Sequence, residues 1–277
     1  MHDPAQNTYL RNRAAAYCQE LSQHPILSRY WESLSVVLKG STARGYSDQY
    51  SDVDVVLFCS QDTLHAIALE YYATGQSQRK DGVFLPLGDW EGHYNVESFE
   101  RLQGWFAQPD MCELWEYMNI IVLHDPQHRY KRLLADAIPG LFDNHEALIR
   151  AKYMDIQLHL DWMRQPLRRA DVPASALYMA MLMRLMAQLL FLLKKQPYPC
   201  DKWLFFQLAD LDCDAHIKAH LQAYSQVFAT LSTLQPNLEL EQYAAYHDAA
   251  ALVNDFVVLL KAQFGEQQWI GEWYLYA

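Results

Sequence analysis

Asp52 and Asp54 stand two residues apart at the start of a hydrophobic, β-branched run, Val53 to Phe58, and twelve residues before Asp52 comes the pair Gly40-Ser41. On a strand, side chains at i and i+2 leave the same face, so the two carboxylates can share one divalent cation while Val53 turns to the core. Two carboxylates this close repel each other, and Mg²⁺ or Mn²⁺ is the natural neutraliser. Gly40 removes a side chain where the backbone would have to approach an anion. Ser41 adds a hydroxyl and a backbone N–H at the start of a turn, which is the chemistry of a phosphate cradle.

The elements that must hold these groups can be read from the flanking residues. Ser35-Val36-Val37-Leu38 predicts a short buried strand running into Gly40-Ser41, and the ten residues Thr42 to Ser51 predict a polar loop before the second strand. Ala-rich residues 5–23 predict an opening helix, and residues 61–74 a second. Residues 82–87 and 93–98 read as the two strands of a hairpin, 119–123 as a further strand, and 99–108 and 127–137 as helices.

After Pro139-Gly140 the strand signals stop, and residues 144–164, 174–195, 214–231 and 239–264 read as long helices. The expectation is an α+β fold in which residues 1–140 form a mixed sheet flanked by helices and residues 141–277 form an all-α bundle.

The Gly-Ser, ten-residue spacer, Asp-x-Asp arrangement resembles the DNA polymerase β-like nucleotidyltransferase superfamily. The resemblance implies a third metal-binding acid on a later strand, for which Glu97 in Tyr94-Asn95-Val96-Glu97-Ser98 is the choice over the turn residues Asp81 and Asp89. It also implies that Arg44, three residues beyond Ser41, lies near the triphosphate of the donor. Asp48 is given a turn role. Farther on, Tyr198-Pro199-Cys200-Asp201-Lys202-Trp203-Leu204 resembles an element of nucleotidyltransferase-like proteins with a helical C-terminal domain, a layout shared by lincosamide and aminoglycoside nucleotidyltransferases. There Lys202 would contact phosphate, while Trp203 is read as core.

Taken together, these resemblances imply an enzyme moving a nucleoside monophosphate, AMP from ATP in the first instance, to a hydroxyl of a small molecule with release of pyrophosphate. Asp52, Asp54 and Glu97 would hold Mg²⁺ or Mn²⁺, and Gly40 and Ser41 the phosphates. The alternatives are a protein acceptor, as in adenylylating antitoxins, and a silent nucleotide-binding regulator.

Composition bounds the rest. With 22 Lys and Arg against 33 Asp and Glu, the net charge of −11 gives no basic stripe for nucleic acid and permits a cationic acceptor. The five dispersed cysteines lack a CxxC pair and fit a reducing cytoplasm, and Met1 to Gln6 does not read as a secretory signal. Residues 176–193 are nearly all apolar, yet Arg184 and Gln188 interrupt them, so they are expected to form a buried bundle helix and not a membrane span. Met179, Met181, Met183 and Met186 are read as core packing. The eleven histidines are read as scattered, without HExxH or other paired ligand spacing, and none is assigned to a metal.

Overall fold

The structure, a computed structural model, describes residues 2–276. The chain divides into two compact units, one ending at Leu141 and the other beginning at Phe142.

In the first unit, α1 (Pro4–Ser22) starts where the Asp3 carboxylate accepts from the backbone N–H groups of Ala5 and Gln6. Strand β1 (Ser35–Lys39) runs into a short helix α2 (Gly40–Arg44), and β2 (Val53–Cys59) follows the intervening loop. Then come α3 (Gln61–Ala73), β3 (Val83–Leu87), β4 (Gly92–Ser98), α4 (Phe99–Ala107), α5 (Met111–Met118), β5 (Ile121–His124) and α6 (Arg129–Ala137).

The five strands form one mixed sheet in the order β3-β4-β2-β1-β5. Neighbours pair antiparallel except β2 and β4, which run parallel and bring Asp54 opposite His93, Val56 opposite Asn95 and Phe58 opposite Glu97. Alternation along β2 sends Val53, Val55 and Leu57 into a core shared with Leu10, Ala14 and Tyr17 of α1 and with Ile67 and Tyr71 of α3. Val56 and Phe58 face the other way, into a smaller core with Phe99, Leu102, Tyr117 and Tyr130. Asp54 belongs to this second face by the same alternation and sits at its open end.

The second unit holds α7 (His145–Trp162), α8 (Arg164–Arg168), α9 (Val172–Leu193), α10 (Asp201–Asp210), α11 (Ala215–Tyr224), α12 (Ala244–Phe264) and α13 (Gln268–Gly271), with no strand among the described residues. Together the two units give the α+β class with a helical second half. Helix α9 is long and apolar enough to cross a membrane by length and composition. It lies among α7, α8, α10, α11 and α12, and Leu182, Met186, Ala187, Leu189 and Leu190 are buried. Burial follows the predicted bundle role for Met179 and Met186 but leaves Met181 and Met183 outside the core.

Two local expectations are corrected. Residues 42–44 are not loop: α2 makes one helical turn and is closed by Gly45 at φ +85°, a left-handed position that favours glycine. Helix α5, which the sequence pattern did not suggest, begins at Asp110, whose carboxylate accepts from the N–H groups of Cys112 and Glu113.

Candidate active site

Gly40 adopts φ +74°, and a Cβ built there would run into Asp54 Oδ2. Only glycine therefore lets the β1–α2 junction close over the carboxylate of the neighbouring strand. The junction is tied from several sides. Thr42 Oγ1 donates to the Asp52 carbonyl at 2.8 Å, Ser41 Oγ to Ser51 Oγ at 3.1 Å, and Asn7 Nδ2 of α1 to the Thr42 carbonyl at 3.0 Å. Arg11 donates to the carbonyls of Thr42 and Ala43 at 3.0 and 2.7 Å. In the following turn Asp48 Oδ1 accepts from the Tyr50 N–H and the Ser51 hydroxyl, so Asp48 has the turn role given to it from sequence.

At the start of β2, Asp52 and Asp54 come together as predicted, and the group beside them is His93. Its Nε2 lies 3.0 Å from Asp54 Oδ1 and its Nδ1 3.7 Å from Asp52 Oδ2. The Asp54 and His93 side chains are 20% and 24% exposed and Asp52 is 51% exposed, so the cluster is half-sheltered with one side open to solvent. Hydrogen bonding to the Asp52 and Asp54 carboxylates pushes the His93 imidazole up to about 9, against the opposing effect of its burial. Without a cation the proton on His93 is the local countercharge.

Glu97 does not join the site. The parallel register sets it opposite Phe58, four residues beyond His93, or about 13 Å along the strand at ~3.3 Å per residue. It is on the predicted face but at the wrong end, where it accepts from Arg101 Nη1 at 3.0 Å and Asn95 Nδ2 at 3.1 Å. Arg44 is corrected as well. Its side chain is 5% exposed, bonds Glu116 Oε2 of α5 at 2.9 Å and stacks its guanidinium 4.2 Å from the Trp115 ring centroid. That arginine links α2 to α5.

Glu116 takes a second contact that the sequence did not disclose: its Oε1 accepts from the Gly40 N–H at 2.9 Å. The backbone donor just before Ser41 is thus held by the chain's own carboxylate. Lys39, the cross-strand partner of Asp54, carries its ammonium 5.6 Å from the Tyr117 ring, and burial pushes the nearby Glu113 carboxyl up. In the second unit Lys202 is exposed on the first turn of α10, its Nζ 5.9 Å from the Trp203 ring, while Trp203 is only partly buried.

Two carboxylates and an imidazole whose ligand atoms all lie within 4.8 Å of one another form a donor set that a divalent cation fits. A search for a third acid and the scattered placing of the histidines both lead away from His93; alternation gives residues 93, 95 and 97 the same face, and the offset between β2 and β4 sets His93 beside Asp54.

Residues 23–88 match the model of the nucleotidyltransferase domain family, a span that contains Gly40, Ser41, Asp52 and Asp54. The match marks a nucleotidyltransferase domain within the first unit and supports nucleotidyl transfer as the activity of the chain. Among solved structures, the chain is similar to a nucleotidyltransferase-like protein from Exiguobacterium sibiricum, at 10% identity and TM-score 0.47, over 88% of this chain and 77% of that one. A search of curated proteins found no match.

Proposed function

We propose that this nucleotidyltransferase moves a nucleoside monophosphate, AMP from ATP, to a hydroxyl of a small molecule and releases pyrophosphate, with a divalent cation held by Asp52, Asp54 and His93. The observation that carries the reading is the convergence of these three side chains beside the Gly40-Ser41 turn. A bound Mg²⁺ or Mn²⁺ would supply charge stabilisation at the phosphoryl oxygens.

The residues of the chain account for the remainder. Asp52 and Asp54 provide negative charge on one strand face, and His93 offers a neutral nitrogen once its proton leaves. Ser41 keeps a hydroxyl at the head of α2, within the turn that Gly40 shapes. For the nucleotide to use the Gly40 N–H, Glu116 has to release it, while Arg44 remains bonded to the other carboxylate oxygen. The acidic balance of the chain, −11, favours a cationic acceptor of the aminoglycoside kind over a polyanion.

The test is incubation with α-labelled nucleoside triphosphates, Mg²⁺ or Mn²⁺, and a panel of aminoglycosides, lincosamides and proteins. Metal-dependent pyrophosphate release with label on a small molecule is expected. Transfer of label to a protein, or turnover undiminished in Asp54→Asn, contradicts the proposal.

A further inference from the structure

A second cluster lies in the helical unit, in a part of the chain that the nucleotidyltransferase family match does not reach. His216 and His220 are one turn apart on α11, in Ala215-His216-Ile217-Lys218-Ala219-His220, and Asp255 faces them from α12. Residues at i and i+4 project from the same side of a helix, so both imidazoles are displayed at one height of the α11–α12 seam. His220 Nδ1 lies 2.8 Å from Asp255 Oδ2 and His216 Nε2 lies 3.5 Å from the same oxygen. One ligand atom from each residue can be chosen so that all three lie within 4.8 Å of one another.

The helices that carry the cluster are fixed in place. Ile217, Leu221 and Tyr224 form the buried stripe of α11, Leu252, Val253 and Phe256 are buried on α12, and Tyr224 Oη donates to the Ala245 carbonyl at 3.0 Å. The ligands stand at the rim of that packing, with His216 77% exposed and His220 and Asp255 near a quarter exposed. Two imidazoles and one carboxylate, with an open side, are a donor set for a first-row ion that accepts nitrogen ligands, and a poor one for Mg²⁺, which prefers oxygen and retains its waters.

We propose that His216, His220 and Asp255 bind Zn²⁺, fastening α11 to α12, with water completing the coordination on the exposed side. The ion stabilises the folded chain by mass action, because the three ligands come together only when the two helices pack. The site is independent of the Asp52, Asp54 and His93 cluster and does not rest on its chemistry.

The experiment uses the full chain carrying Asp52→Asn and Asp54→Asn, so that the first cluster does not obscure the second. Zn²⁺ is titrated calorimetrically, and thermal unfolding is followed with Zn²⁺ and with a chelator. One Zn²⁺ per chain and a Zn²⁺-dependent rise in Tm are expected. Adding His216→Ala, at a position exposed enough to leave folding intact, is expected to weaken binding at least about tenfold and to remove the rise in Tm. Unchanged affinity in that variant, or no Zn²⁺ bound in the background chain, overturns the proposal. Either result leaves the nucleotidyl-transfer reading to be decided by its own assay.

Discussion

The two ends of β4 carry similar chemistry and have different fates. His93 at one end and Glu97 at the other leave the strand on the same face, and each can bind a cation. His93 meets Asp54 across the parallel ladder, whereas Glu97 meets Phe58 and turns to Arg101. The difference is one of register. A period of two assigns a face, but a parallel pair joined through α3 and β3 has an offset that no local residue pattern sets.

The sharpest way to break this comparison is to remove Asp54, the proposed ligand that His93 meets and Glu97 does not. Asp54→Asn is expected to lower transfer at least about 100-fold, since it strikes a proposed ligand directly where even supporting groups matter about 10–100-fold. Labelled-nucleotide assays at saturating Mn²⁺ measure it. Next comes the scaffold under Gly40. Glu116→Ala leaves Arg44 buried without its bonded carboxylate, and a loss of about 3 kcal/mol in urea unfolding is expected, the usual consequence of breaking a buried pair from one side. An unfolding midpoint equal to wild type would mean that the Arg44–Glu116 contact does not hold α2 to α5.

A titration sharpens the role of His93. Its pKa is raised from 6.5 to about 9 in the folded, cation-free protein. The stabilisation this brings is complete below about pH 6.5 and is lost as pH rises through about 9. Divalent cations compete with the same proton, so their affinity should rise over that interval. Chemical unfolding of chelator-treated wild type and His93→Gln across this range should show the two curves converging at high pH; a constant gap would remove the coupling. The smallest effect is expected at the far end of the strand. Glu97→Gln disturbs a contact with Arg101, which is 60% exposed, and should shift stability by no more than about 0.5 kcal/mol in the same unfolding measurement.

Much of this molecule can be read from local pattern, and the parts that cannot share a cause. Strands β1 to β5 and helices α1, α3, α7, α9 and α12 announce themselves through period, branching and caps, as Val53 to Phe58 does for β2. Gly40 and the Asp52–Asp54 pair are legible because glycine and paired carboxylates are informative at that spacing. The surroundings of Glu97, Arg44 and the Gly40 N–H are not legible locally, because their partners come from elsewhere in the chain. Those partners are the β2–β4 offset, the short helix α5 and Glu116, 76 residues from Gly40. The pair His216 and His220 did carry a signal in its i, i+4 spacing; Asp255, which makes it a cluster, is supplied only by tertiary packing.

The most direct test of the account is the affinity of a non-hydrolysable α,β-methylene analogue of ATP in the presence of Mn²⁺, compared among wild type, His93→Ala and Glu97→Gln. The account predicts a loss of about 10–100-fold for His93→Ala and wild-type affinity for Glu97→Gln. Wild-type affinity in His93→Ala together with a loss in Glu97→Gln would contradict it.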